Sequence, residues 1–208
     1  MSDGVGDPRR IEEVVQAALR GGCRCVQLRE PRWSARAMLR ACEALRPMLD
    51  AVDGLLLVND RVDVVAAGVA HGAQVGHRSL PPATARAVLG RNLVLGYSAH
   101  DEQELDEAAD GGCNFALLSP VWRTTSKPDA AFLGVARAGA LTEAARLPVV
   151  WLGGVDVATM AELVDVPAGQ RPVGVAVRSA IMATADPEAA TRALLQALPE
   201  RSAAPSGD

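Results

Sequence analysis

Seven short runs of β-branched and other apolar residues alternate along this chain with stretches of Ala, Leu, Arg and Glu at helical spacing. This alternation constrains the fold most. Strands joined by helical crossovers pair in parallel, with both faces of the sheet covered. The strands are expected at residues 23–28, 55–58, 73–76, 93–97, 114–118, 149–152 and 173–177. Eight helices are expected around them, at 8–20, 34–49, 62–67, 82–89, 101–109, 134–146, 156–164 and 187–198. Their starts carry cap residues (Asp7, Ser34, Asp101, Asp156, Asp186), several with a proline at the first turn, and Gly21-Gly22 stops the first helix. Even βα spacing over 208 residues fits a TIM (β/α)8 barrel, for which roughly 200–250 residues is usual. A doubly wound sheet is the alternative, but no G-x-G-x-x-G follows the first strand. Residues 1–198 read as one domain, and 199–208 as a disordered tail.

Composition removes several functions. With 25 acidic against 21 basic residues and no basic run, the chain is not a general nucleic-acid binder. Aromatics at 3% leave no stacking platform for single strands. No apolar stretch approaches the ~18 residues of a membrane span, and the N-terminus does not read as a signal peptide. The expectation is a soluble cytoplasmic protein. Cys23, Cys25, Cys42 and Cys113 lack the spacing of a zinc site and read as small hydrophobes.

In such a barrel the chemistry sits where the strands end. The exits in order carry Gln27 and Arg29; Asn59, Asp60 and Arg61; Gly76 and His77; Ser98 and His100; Ser119 leading to Thr124, Ser126 and Lys127; Gly153 and Gly154; Arg178 and Ser179. Apolar bodies with amide, hydroxyl and cationic ends suit a polar, anionic ligand. Gly153-Gly154 and Ser179 stand where barrels hold phosphate, because glycine lets backbone N–H groups approach the oxygens. The alternative is a tight turn and a helix cap. The loop Trp122–Lys127 packs three hydroxyls and two cations into six residues and reads as a lid or phosphate clamp. Asn59-Asp60 offers a carboxylate to magnesium, or a cap to the helix at 62. His71 precedes its strand and reads as structural, whereas His77 and His100 follow theirs and can reach a ligand.

These exits resemble the thiamine phosphate synthase/thiazole tautomerase family. The matching segments are Val26-Gln27-Leu28-Arg29-Glu30, Val58-Asn59-Asp60-Arg61-Val62-Asp63, Gly96-Tyr97-Ser98-Ala99-His100 and Pro120-Val121-Trp122 leading to Thr124, Ser126 and Lys127. They continue with Leu152-Gly153-Gly154-Val155, Gly174-Val175-Ala176-Val177-Arg178-Ser179-Ala180-Ile181 and Asp186-Pro187. The resemblance implies a TIM barrel of thiamin biosynthesis. Such an enzyme would join an aminopyrimidine diphosphate to a thiazole phosphate and release diphosphate. Carried over by position, Gln27, Arg29, Asn59 and Lys127 would hold the pyrimidine diphosphate and Asp60 would ligate magnesium. Ser98 would lie by the reacting pyrimidine, and Thr124, Ser126, Gly154 and Ser179 would take the thiazole phosphate, with Gly153 and Arg178 beside them.

This chain departs from the family pattern at several places. Pro31 stands where the synthases carry a lysine, and Gly76-His77-Arg78-Ser79 replaces a Gly-Gln-x-Asp motif that supplies a second magnesium carboxylate. Losing a cation and a metal ligand from a leaving-group pocket costs several kcal/mol of transition-state stabilisation unless something compensates, and Arg78 offers positive charge there. The tautomerase branch uses a histidine where this chain has Pro120. Three functions therefore stay open: a synthase-like transferase with a weakened diphosphate site, a tautomerase-like isomerase with His77 as a relocated base, or a non-catalytic phosphate-ligand-binding regulatory paralogue. Family members also begin with a strand before the first helix, while only a few residues precede Asp7 here. The resemblance thus implies that the first barrel strand is missing, through a misplaced start or an open barrel. Two unpaired strand edges would follow, which a homodimer would cover.

Overall fold

The computed structural model of the chain describes residues 1–124 and 131–199. Seven strands, β1 (Cys25–Leu28), β2 (Leu55–Asn59), β3 (Gly72–Gly76), β4 (Val94–Ala99), β5 (Phe115–Leu118), β6 (Val149–Leu152) and β7 (Gly174–Ala176), form one sheet in sequential order, every pair parallel. Helices α1 (Pro8–Arg20), α2 (Ala35–Asp50), α3 (Val62–Ala66), α4 (Pro82–Leu89), α5 (Glu102–Asp110), α6 (Val135–Ala144), α7 (Val157–Met160), α8 (Ser179–Met182) and α9 (Pro187–Ala197) accompany it. The fold is TIM-type, with seven parallel strands among the described residues. Five caps fall where their residue types put them. The side chains of Asp7, Ser34, Asp101, Asp156 and Asp186 accept from the N–H groups of Arg9, Ala37, Glu104, Thr159 and Ala189.

Boundaries differ from expectation for local reasons. β1 starts at Cys25 because Cys23 N–H is taken by Ala18 O as α1 unwinds. The stretch after Asp156 is α-helical only to Met160 and continues as 3-10 turns at Ala161–Asp165, where Pro167 holds Val166 extended. Ser179–Met182 forms a short helix where only a cap was expected. Of the cysteines, Cys42 is buried but Cys25 is exposed at the open end of β1.

Strand period two decides which side chains enter the barrel. Leu57, Gln74, Gly96, Phe115, Leu117, Val150 and Gly174 alternate with outward residues such as Leu56, Ala73 and Leu95, which pack under the helices. Gly96 is small because the Phe115 ring and the Gln74 amide fill its side of the barrel; a Cβ there would stand 2.7 Å from Phe115 Cε1. Among the described residues, Met1 and Ser2 bridge the wall between β7 and β1 at one end. The Met1 ammonium donates to Val177 O at 3.1 Å, Ser2 N–H donates to Gln27 O at 2.9 Å, and Arg29 N–H donates to Ser2 Oγ at 2.7 Å. Below this bridge an apolar cavity of about 310 Å³ occupies the barrel interior, against α1 and α8. Asp3, held by Arg10, keeps the segment in place, and Arg10 also reaches Met182 O.

Candidate active site

Continuing each inward row by two residues puts a polar group at the mouth of the barrel. Gln27 leads to Arg29, Leu57 to Asn59, Gly96 to Ser98 and His100, Leu152 to Gly154, and Ala176 to Arg178. These groups line one cleft of about 470 Å³, a usual size for a small-molecule site. Most described residues nominated from the sequence lie on it: Gln27, Arg29, Asn59, Asp60, His77, Ser98, His100, Thr124, Gly153, Gly154, Arg178 and Ser179; Arg61, paired with Asp63, and Arg123, over the Phe132 ring, do not. Ser126 and Lys127 lie outside the described residues, as do positions 200–208 of the expected tail.

One half of the cleft is a network across the exits of β2, β3 and β4. Asp60 sits in the left-handed region at φ 61°, a conformation that aspartate tolerates better than bulkier residues and that marks a constrained position. Its N–H donates to Gln74 O at 2.9 Å. Asn59 Nδ2 donates to Asp60 Oδ2 at 2.6 Å, and Ser79 Oγ makes a short hydrogen bond to Asp60 Oδ1. Ser79 Oγ in turn accepts from Gly76 N–H at 3.0 Å, closing a tight turn that presents His77 and Arg78 to the cleft. Gln74 Nε2 donates to Ser98 Oγ at 3.1 Å and orients that hydroxyl, while Gln74 Oε1 is buried without a partner. The His77 and His100 rings stand edge to face, 6.2 Å apart. His100 is tethered to Glu104 Oε2 through its backbone N–H at 2.7 Å and Nδ1 at 2.8 Å.

The other half is shaped by glycine. Gly153 and Gly154 have φ of 96° and 72°. Cβ atoms there would stand 2.8 Å from Pro120 Cα and 2.7 Å from Trp122 Cβ. That closeness lets Val121 and Trp122 N–H groups pair with Leu152 O and Gly153 O, each at 3.0 Å, holding the base of the loop after β5 against β6. Thr124 stands at the rim of this wall, with Ser179 at the start of α8 on the next exit. His71 lies at the opposite end. Leu56 N–H donates to its Nδ1, and Nε2 meets Asp50, a structural role.

Asp60 had been expected to ligate magnesium or cap α3. It does not cap, since Arg61 takes the N-cap position and no side chain bonds there. The donor set does not fit the metal either. Magnesium needs an octahedron of oxygens, usually including one or two carboxylates. Asp60 is the one carboxylate among the described residues lining the cleft, and both its oxygens already accept hydrogen bonds. Among the described residues no group of three or more His, Cys, Asp or Glu gathers around a common point. Two contributors went unnoticed in the sequence: the Ser79 hydroxyl, and Gln74, a lone amide between Ala73 and Val75 whose only sequence signal is its polarity within an apolar strand.

Comparison with known proteins bears on this geometry. A family model described as thiamine monophosphate synthase matches residues 2–181. A thiamine-phosphate synthase of Roseiflexus castenholzii is 40% identical over 194 residues, covering 93% of this chain and 83% of the relative. A putative thiamine-phosphate synthase of Geobacter sulfurreducens is 39% identical, covering 93% and 89%. The solved thiamine phosphate pyrophosphorylase of Pyrococcus furiosus superposes with a TM-score of 0.82 at 30% identity, over 94% of this chain and 92% of that one. A 3-hexulose-6-phosphate synthase, 16% identical with a TM-score of 0.66, shares the fold alone. With the family model matching residues 2–181 and relatives about 40% identical over most of their length, the chain belongs to the thiamine monophosphate synthase family.

Proposed function

We propose that this protein is a transferase of thiamin biosynthesis, joining an aminopyrimidine diphosphate to a thiazole phosphate. The observation that carries this reading is that both groups of candidate residues line one cleft, with Ser98 between them. On one side Gln27, Arg29 and Asn59 receive the pyrimidine diphosphate. On the other, Thr124, Gly153, Gly154, Arg178 and Ser179 receive the thiazole phosphate; Ser126 is assigned to the thiazole phosphate and Lys127 to the pyrimidine diphosphate by the family resemblance alone. The pyrimidine methylene–oxygen bond breaks, and its electron pair leaves with the diphosphate. The thiazole nitrogen then gives its lone pair to the resulting cation, forming the carbon–nitrogen bond. Fixed guanidinium groups stabilise the charge that gathers on the departing oxygens, the term that removal of one donor lowers by about 10²–10³ in rate. Gln74 acts through Ser98, holding its hydroxyl toward the reacting carbon. Both substrates are small, phosphorylated and water-soluble, which fits a cytoplasmic enzyme; among the described residues no helix is long and apolar enough to cross a membrane.

Pro120 in place of the tautomerase histidine favours the transferase over the isomerase. The test is product formation from the two substrates by the purified protein, followed as thiamine phosphate fluorescence after oxidation. Turnover is expected, and an Arg29→Ala variant is expected to lose about two orders of magnitude in kcat/KM. Aromatisation of the thiazole carboxylate phosphate without any condensation would replace this reading with the isomerase, and thiazole phosphate binding without chemistry would replace it with the non-catalytic paralogue.

A further inference from the structure

The exit of β3 suggests how the diphosphate is held. Here Ser79 takes the carboxylate of Asp60 as its hydrogen-bond acceptor, and the Asn59 amide takes the other oxygen. The carboxylate thereby braces the exits of β2 and β3. The turn that this brace closes carries Arg78 and His77 to the cleft that Arg29 also lines. The side chains of Arg29 and Arg78 form no hydrogen bond or ion pair with any described residue. Two guanidinium groups on a cleft with one carboxylate, its oxygens both engaged in hydrogen bonds, give a net positive lining that disfavours a divalent cation and attracts a polyanion. A guanidinium fork also matches two phosphate oxygens at once.

We propose that this cleft binds the diphosphate of its substrate directly through Arg78 and Arg29, without a divalent cation held by protein side chains. The proposal rests on the transferase reading above, and names what replaces the metal in it. Arg78 supplies charge to the leaving group, His77 lies beside it on the same turn, and Ser79 keeps the turn closed by occupying Asp60. The bond changes are those of the condensation itself; the diphosphate departs with its electron pair onto oxygens that the two guanidinium groups hold. A chain with a carboxylate at position 79 would do the reverse. Two acidic groups would then face each other across the β2 and β3 exits and need a cation between them.

Inorganic pyrophosphate is the probe, titrated calorimetrically into the full chain in EDTA and again in magnesium. Similar affinity in both, within about threefold, is expected. The exposed Arg78→Gln variant is expected to bind about tenfold or more weakly in EDTA, the loss of one charge-assisted hydrogen-bond pair. Manganese titrated in the absence of pyrophosphate should stay unbound by the native chain and be bound by Ser79→Asp, read from the manganese electron paramagnetic signal. Binding of pyrophosphate only with magnesium, unchanged affinity in Arg78→Gln, or manganese held by the native chain would each overturn the proposal while leaving the transferase reading intact. Pyrophosphate failing to bind under either condition would overturn both. Condensation absent despite metal-free pyrophosphate binding would overturn the transferase reading alone.

Discussion

At single residues, the site depends on groups whose role comes from one close contact. Gly154 is the sharpest case. A side chain there must adopt a positive φ and push on Trp122, so the loop base would lift from β6. Gly154→Ala should destabilise by about 1–3 kcal/mol and raise KM for the thiazole phosphate far more than for the pyrimidine diphosphate. A thermal melt together with both KM values checks this, and equal shifts in the two would point to general damage. Gln74 behaves differently. Its Oε1 is buried unpaired and its Nε2 orients Ser98, so Gln74→Met removes an unsatisfied group while abolishing that orientation. The expected result is a melting temperature at or above the native value with a clearly lower kcat. Both residues stand in the sequence in plain view, yet only Gly154 was legible as a site residue. A glycine pair at a strand exit has a local signature, whereas the role of Gln74 depends on which neighbour stands across the β3–β4 register, Gly76 facing Ser98.

At the level of elements, the strands and helices were readable because their periods are local. The caps at Asp7, Ser34, Asp101, Asp156 and Asp186 follow from side-chain chemistry within three residues. Replacing Asp156, whose carboxylate and Thr159 form a reciprocal cap, with alanine should cost about 1 kcal/mol. That corresponds to about 2–4 °C in Tm for a chain of this length. What local chemistry could not reveal was the use of residues 1–4. Ser2 is almost fully buried, pairs with Gln27 through its backbone, and accepts the Arg29 N–H through its hydroxyl. Ser2→Ala should therefore lower stability by about 1 kcal/mol, the net worth of one hydrogen bond. It should also weaken pyrophosphate binding, because Arg29 loses its backbone anchor. Calorimetric melting and titration of that variant measure both effects, and a variant that melts lower but binds pyrophosphate as tightly as the native chain would separate the anchor from the site.

At the scale of the whole molecule, burial couples the barrel to pH. Burial pushes the Tyr97 phenol up to about 12, helped by the neighbouring charges of Glu107 and Glu104. In the unfolded chain the same phenol ionises near its ordinary value of 10. The folded state then binds more protons than the unfolded one above that value, so stability falls as pH rises. The contribution is complete below pH 10 and is lost as the pH climbs through about 12. Melting temperatures followed from about pH 9 upward should decline, and Tyr97→Phe should flatten part of that decline; an identical alkaline slope in the variant would remove Tyr97 as the cause. The parallel sheet and the order of strand exits were determined by the sequence itself, since periods of two and 3.6 and the cap residues act over a few neighbours. Only the tertiary structure decided that Met1 and Ser2 bridge β7 to β1, that Ser79 reaches across to claim Asp60, and that Gln74 aims Ser98. Those contacts join residues far apart in the chain, and curvature of the sheet is what brings them within hydrogen-bonding distance.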